Sequence, residues 1–190
     1  MPDAHPDATA DSDAALVARA LINDDPAFAL LMSRHKHWVH RFIKRYVGAG
    51  NDEAYDLLQE TFFSAWLALT RYQPELPFAA WLRQIALNKC RDRSRRNKVR
   101  RFLLGQPAED AVVPEAHDPS PGPETIARDE QEYALIERHV NDLPRSLKEP
   151  LLLAALEGLS HQEVAAMLGI STKAVEMRIY RAREKLTGLR

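Results

Sequence analysis

Residues 158–186 read GLSHQEVAAMLGISTKAVEMRIYRAREKL, and they constrain the fold more than any other stretch. Ser160 followed three residues later by Glu163 is the signature of a capped helix start. Val164, Ala165 and Leu168 then form one apolar helical stripe. Gly169 falls where the chain must turn sharply, a task that glycine performs without a Cβ penalty. Ser171 is a second N-cap candidate. Val175, Ile179, Ala182 and Leu186 follow at spacings of four, three and four, so they share one side of a longer helix. Lys173, Arg178, Arg181, Arg183 and Lys185 project from its remaining surface.

A small residue four before the glycine and an apolar anchor six after it complete the register of a DNA-binding helix-turn-helix. Ala165 lets the two helices cross closely, and Val175 ties the second helix to the first. An ordinary helical hairpin with a solvated basic face is the competing reading. It does not account for capping, small residue, glycine and anchor falling in register together.

The rest of the chain fits an all-α protein. It contains few glycines and little period-two alternation. Its 190 residues are enough for one medium domain or two small ones. A single cysteine, Cys90, rules out an intramolecular disulfide framework and fits a reducing cytoplasm. No apolar run approaches a membrane span, and the acidic start MPDAHPDATADSDA lacks the pattern of a signal peptide. The net charge of −1 hides an asymmetry. Residues 102–131 hold one Arg against seven acids, whereas residues 1–101 hold 16 Lys and Arg against 12 acids. Basic regions therefore flank an acidic one.

In chain order, residues 1–12 are expected to form a loose tail. A short helix over Asp13–Asn23 places Leu16, Ala20 and either Leu21 or Val17 inward. Asp25-Pro26 opens a long helix to about Val47, with Phe28, Leu31, Met32, His35, Val39, Phe42, Ile43 and Tyr46 on its apolar face. Gly48-Ala49-Gly50 ends it. A third helix is expected over Asp52–Thr70, with Asp56, Gln59 and Glu60 on its outer side. A loop follows over Arg71–Pro77. A fourth helix starts near Phe78, and from Arg91 to Arg101 seven of eleven residues are Arg or Lys. Residues 103–124 contain five prolines without a helical period and predict a flexible acidic linker. Beyond it, a helix over Thr125–Asn141, a helix over 147–157 capped by Ser146, and the helix-turn-helix complete the chain.

The basic run after Phe78 and Trp81 combines flat apolar groups with a cationic stripe. Arg and Lys would neutralise phosphates, and aromatic side chains near the helix start would stack on unpaired bases. The competing reading is a core Trp and Phe cluster followed by a solvated helix end, and Trp81 is expected in the core under both. His35, His37 and His40 lack the i,i+4 spacing of a helical metal clip, so no metal site is expected. No Gly-rich phosphate loop, nucleophile elbow or HExxH motif is present, and neither enzymatic activity nor a cofactor is expected.

Taken in order, these motifs resemble bacterial RNA polymerase sigma factors of the extracytoplasmic-function type. DLLQETFFSAW (56–66) is similar to the core-polymerase-binding helix of that family. FAAWLRQIALNKCRDRSRR (78–96) is similar to its promoter-melting helix, with Ala86, Asn88, Asp92, Arg95 and Arg96 at the family's spacing. The C-terminal stretch is similar to its helix-turn-helix, including the RIYRAREKL ending. The resemblance covers about residues 13–101 and 125–188. It implies two small helical domains, 13–101 (region 2) and 125–190 (region 4), joined by a flexible linker over 102–124.

The resemblance also assigns roles. Asp56, Gln59 and Glu60 would bind the clamp helices of the polymerase largest subunit, and the C-terminal domain would meet the flap. Arg71, Tyr72, Phe78, Trp81, Asn88, Lys89, Arg95 and Arg96 would contact the minus-ten element. Ser171, Thr172, Lys173, Glu176, Met177, Arg178 and Arg181 would enter or flank the major groove at the minus-thirty-five element. There Arg reads guanine or grips phosphate, and Glu accepts from cytosine. The base-capture loop, Gln73–Pro77, is proline-rich where relatives often carry glycine and small polar residues. An anti-sigma factor, itself membrane-bound in some cases, would control such a chain during stress responses. No membrane insertion and no small-molecule substrate are implied. A stand-alone helix-turn-helix regulator with an N-terminal sensing domain is the alternative, and a histidine-based metal sensor a remote third.

Overall fold

The computed structural model describes residues 12–48, 50–103 and 136–188, and every regular element among them is helical. They are α1 (Asp13–Ala20), α2 (Asp25–Val47), α3 (Asn51–Ala68) and α4 (Phe78–Leu103), with a 3-10 turn over Leu69–Arg71. Then come α5 (described over residues 136–142), α6 (Arg145–Ala155), α7 (His161–Leu168) and α8 (Thr172–Thr187). Residues 1–11 of the tail expected over 1–12 and almost all of the expected linker lie outside the described residues, as does the first part of the expected helix from Thr125.

The chain divides into two compact units, Met1–Ile43 with Ala54–Arg93, and Lys44–Glu53 with Ser94–Arg190. The division falls inside α2 and α4, so these two helices each run from one unit into the other.

In the first unit, Ser12 caps α1 by accepting from the Ala15 N–H at 3.2 Å. Leu16, Val17 and Ala20 are buried, so Val17 rather than Leu21 completes the inward face. Asn23, at φ 66°, turns the chain into α2. The Asp24 carboxylate accepts from the Ala27 N–H at 3.3 Å and pairs with Arg19 at 2.7 Å, so Asp24 anchors the start that Asp25-Pro26 signals. The predicted apolar face of α2 is buried except Met32, which lies at its edge. From α3, Leu57, Leu58, Thr61, Phe62 and Ala65 point inward, and the Thr61 hydroxyl donates to the Leu57 carbonyl at 2.7 Å. The α-helix ends at Ala68, and the 3-10 turn carries the chain on to Arg71.

In the C-terminal helices, Pro144, not Ser146, occupies the position before α6. Its fixed φ suits a helix entry, and its carbonyl accepts from the N–H groups of Leu147 and Lys148. Ser146 therefore lies in the first turn of α6, and no side chain caps this end. At α7 the capping box is complete. The Ser160 hydroxyl accepts from the Glu163 N–H at 3.2 Å, and the Glu163 carboxylate accepts from the Ser160 N–H at 2.8 Å. Ser160→Ala is expected to lower the stability of this helix by about 1 kcal/mol, measurable as faster amide exchange at Val164 and Ala165. Gly169 adopts φ 66°, ψ 38°, the left-handed C-cap that the sequence demands. Ser171 caps α8 through the Ala174 N–H at 3.2 Å. Val164, Ala165, Val175, Ile179 and Ala182 are the buried face of α7 and α8, which pack on each other and on α6.

Candidate nucleic-acid interface

Three surfaces present the residues singled out by the sequence. The first is the outer side of α3. Asp56, Gln59 and Glu60 are all exposed, opposite the buried Leu57, Thr61 and Ala65. The same stripe continues through Phe63 and Leu67, which are 63% and 66% exposed. Residues 56, 60, 63 and 67 follow spacings of four, three and four, so an acidic end passes into an apolar one along a single helix face. Sequence reasoning missed Phe63 and Leu67. Their spacing from Asp56 was the available signal.

The second surface surrounds the start of α4. Tyr72, Phe78 and Trp81 form an aromatic cluster with ring centroids 5.5 to 5.9 Å apart. Phe78 is only 2% exposed and Tyr72 only 9%, so neither ring is available to stack on a base. Both were expected at the minus-ten element, and the structure places their rings inside the cluster. They form the floor beneath Trp81, which is half-exposed, and Arg71, which is exposed.

The Tyr72 hydroxyl donates to the Leu76 carbonyl at 2.6 Å and closes the proline-rich loop. Burial, reinforced by the Asp13 and Glu75 carboxylates, pushes its pKa up, which keeps the phenol protonated as a donor.

Beneath this floor lies His35, 5.3 Å from Phe78 between ring centroids. Trp38 donates its indole N–H to His35 Nδ1 at 2.9 Å, and His35 Nε2 meets Asp13 Oδ2 at 2.7 Å. Because Nδ1 accepts, Nε2 carries the proton toward Asp13. His40 instead faces the Tyr55 ring at 4.4 Å, and His37 is exposed. Among the described residues no three His, Cys, Asp or Glu side chains converge as a metal ligand set would.

Along α4 the cationic residues line up as predicted, and the helix continues through Leu103 without breaking under its charge density. This carries it past the expected domain end at 101 into the first residues assigned to the linker. Asn88 is exposed and accepts from Gln84 at 3.5 Å and from Arg91 at 3.3 Å, which fixes its amide. Lys89 lies 4.0 Å from Glu60, both partly in solvent. Arg95 and Arg96 are exposed. Arg83 stacks over the Trp38 ring at 4.9 Å, a cation–π contact between residues 45 apart in sequence that no local pattern announces.

The third surface is α8. Ser171, Lys173, Glu176, Met177 and Arg181 are exposed, and Thr172 and Arg178 are half-exposed. The apolar seam lies on the opposite side. Two further residues join this face. Tyr180 is 57% exposed, and its hydroxyl donates to Glu184 at 2.8 Å. That bond and the Glu184 charge push its pKa up. His161, at the start of α7, places Nδ1 3.7 Å from the Glu176 carboxylate. Beside α8, an open cleft of about 400 Å³ runs between Leu151, Ala155, Leu159, Ile179 and Arg183.

A helix-turn-helix with an exposed outer face, preceded by an aromatic-to-arginine helix and a helix with an acidic stripe, has the build of a DNA-binding protein. Residues 31–100 match Sigma-70 region 2, and residues 133–186 match Sigma-70 region 4. The chain is 39% identical to the RNA polymerase sigma factor NccH of Alcaligenes xylosoxydans xylosoxydans, over 93% of this chain and 94% of that one. It is also 39% identical to CnrH of Cupriavidus metallidurans, over 94% of each. The identity to the ECF sigma-E factor of Escherichia coli is 31%, over 92% of each chain. Among solved structures, CnrH in complex with the cytosolic domain of CnrY aligns with a TM-score of 0.66 at 33% identity, covering 93% of this chain and 96% of that one. The chain belongs to the extracytoplasmic-function group of sigma-70 family RNA polymerase sigma factors. As such it is a transcription initiation factor. No helix among the described residues is long and apolar enough to cross a membrane.

Proposed function

We propose that each of the three surfaces serves one step of promoter-dependent initiation. The acidic stripe Asp56, Gln59 and Glu60 binds the clamp helices of the polymerase largest subunit, with Phe63 and Leu67 extending that contact. The cleft beside α8 receives the flap. Arg71 and Trp81, over the floor built by Tyr72 and Phe78, take an unstacked base of the minus-ten element. Asn88, Lys89, Arg95 and Arg96 hold the phosphates of the opening strand. Ser171, Thr172, Lys173, Glu176, Met177, Arg178 and Arg181 read or flank the major groove of the minus-thirty-five element.

The observation that most supports this division is the α8 surface. None of the seven residues assigned to the upstream element is buried, and Val175, Ile179 and Ala182 opposite them are. We read the chain as a non-catalytic subunit comprising region 2 over 13–101 and region 4 over 125–190, joined through 102–124. The related CnrH was solved with the cytosolic domain of CnrY. By analogy an anti-sigma factor holds this chain in the cytoplasm or at the inner membrane.

The melting role is tested by Arg95→Ala/Arg96→Ala. The expected result is binding to the closed promoter complex with open-complex formation, read by permanganate reactivity, reduced roughly tenfold and its salt dependence lowered by about one ion per arginine. Unchanged permanganate reactivity would remove both arginines from the melting surface.

A further inference from the structure

His35 of α2 is only 9% exposed, and both of its ring nitrogens are in use. Nε2 donates to Asp13 Oδ2 of α1 at 2.7 Å, and Nδ1 accepts from the Trp38 indole N–H at 2.9 Å. The other Asp13 oxygen accepts from Arg34 at 3.2 Å, so two side chains of α2 hold one carboxylate of α1. Trp38 carries the Arg83 guanidinium of α4 over its ring. Phe78, the first residue of α4, lies 5.3 Å from the His35 ring and 5.5 Å from the Trp81 ring between centroids. One imidazole thereby joins α1, α2 and the first turn of α4.

An aliphatic residue would fill this site without desolvating a polar group. A buried imidazole is tolerated only when its nitrogens keep partners, because leaving one unsatisfied costs more than the bond itself contributes. The two partners here stand on different sides of the ring, one on α1 and one a helical turn further along α2. A flat ring with one donor and one acceptor satisfies both in a single orientation. Phe78, 2% exposed, therefore packs on a fixed surface, and the half-exposed Trp81 leans on Phe78 in turn. Asp13 acts on the adjoining loop as well. After burial, its charge is the next cause that keeps the Tyr72 phenol protonated, and that phenol closes the loop onto the Leu76 carbonyl.

We infer that His35 is a positioning residue for minus-ten base capture, aligning Trp81 through Phe78 while Asp13 and Trp38 hold its ring. None of the residues assigned to the minus-ten element lies on α1, yet α1 becomes part of the capture site through Asp13. This rests on the reading that Trp81 takes an unstacked base.

The test uses the full chain bound to core polymerase and a fork-junction DNA. The fork carries the downstream element of a promoter drawn from a genomic transcription library, with 2-aminopurine at an unpaired position to report stacking. His35→Leu keeps apolar bulk and removes both hydrogen bonds. It should weaken fork binding about tenfold, the scale of a broken buried hydrogen-bonded pair, and leave affinity for core polymerase unchanged. Quenching of the 2-aminopurine should fall with it. His35→Gln offers one donor and one acceptor to the same partners and should restore fork binding to within about threefold of the unsubstituted chain. That rescue separates positioning from the filling of space, since glutamine fills an apolar site no better than leucine. Fork binding that His35→Leu leaves unchanged, or that His35→Gln does not restore, would overturn the inference. Helix content identifies any loss of folding in His35→Leu. In that event Asp13→Ala decides, because it removes the α1 acceptor from a half-exposed position and should weaken fork binding in the same way. Unchanged fork binding in Asp13→Ala would then overturn the inference. Trp81→Ala separates the two readings. If it binds the fork as the unsubstituted chain does, base capture by Trp81 fails and the inference fails with it. If Trp81→Ala loses the fork and His35→Leu does not, the inference alone fails.

Discussion

Asp56→Arg/Glu60→Arg is expected to weaken the assembly of this chain with core RNA polymerase by at least about a hundredfold while leaving α8 able to bind duplex DNA. The two carboxylates stand one helical turn apart on the exposed side of α3, and the residues behind them are buried in the unit's core. Reversing them leaves that core untouched and turns the proposed docking surface basic. Removing one partner of a desolvated charge pair at an interface costs about 2–5 kcal/mol. Two reversals therefore weaken binding by at least about 3 kcal/mol, or roughly a hundredfold. Glu60 also lies 4.0 Å from Lys89, so reversal sets a cation on α3 against one on α4. Asp56→Arg/Glu60→Gln separates the two effects, since it spares Lys89 the repulsion and still disrupts polymerase docking. Binding of labelled chain to core polymerase measures both. Unchanged affinity would remove α3 from the polymerase interface.

The second large effect is structural. Val175→Asp destroys the helix-turn-helix. Val175, in the first turn of α8, is fully buried six residues after the left-handed Gly169. An unpaired carboxylate there must be desolvated or drive the helices apart, at a cost of about 3–5 kcal/mol. That is a large share of the about 5–15 kcal/mol that stabilises a typical domain. Binding to the upstream element should disappear and amide protection in α7 and α8 should collapse, with polymerase binding through α3 retained. A folded variant that still protects α8 would show that the seam tolerates charge and that its register is not what holds the recognition helix.

The helix-turn-helix was legible because each of its signals is local. Ser160 with Glu163, Gly169 and Ser171 lie within three or four residues of the groups they satisfy, and the structure shows each one bonded or turned as predicted. The outer stripe of α3 was legible for the same reason, since helical periodicity assigns Asp56 and Glu60 a side. Local reasoning fails where an alternative local solution exists. Ser146 is a good N-cap residue, yet Pro144, with its φ already fixed, occupies the position before the helix.

It fails again where a partner is remote. Apolar character predicts that Tyr72, Phe78 and Trp81 cluster, but not that Phe78 and Tyr72 lie beneath and Trp81 remains half-open. That ordering depends on His35 and Trp38 of α2 and on Asp13 of α1. Arg83 over Trp38, Tyr46 with Glu149, and His161 beside Glu176 are tertiary pairings of the same kind. The arginine run over 91–101 was expected to be a cationic stripe, and its helical extent was not fixed by any local signal. In the structure α4 continues through it to Leu103, with its charges spread around an exposed cylinder where water and salt screen their repulsion.

We propose that this chain confers promoter choice on polymerase and does not read DNA as a regulator by itself. The most direct test is transcription in vitro from a genomic promoter library, with core polymerase and the purified chain as the only proteins. The expected result is initiation at a discrete set of start sites that share an upstream and a downstream element, absent without the chain. Failure to initiate at any promoter, with tight sequence-specific binding of duplex DNA by the chain alone, would contradict it.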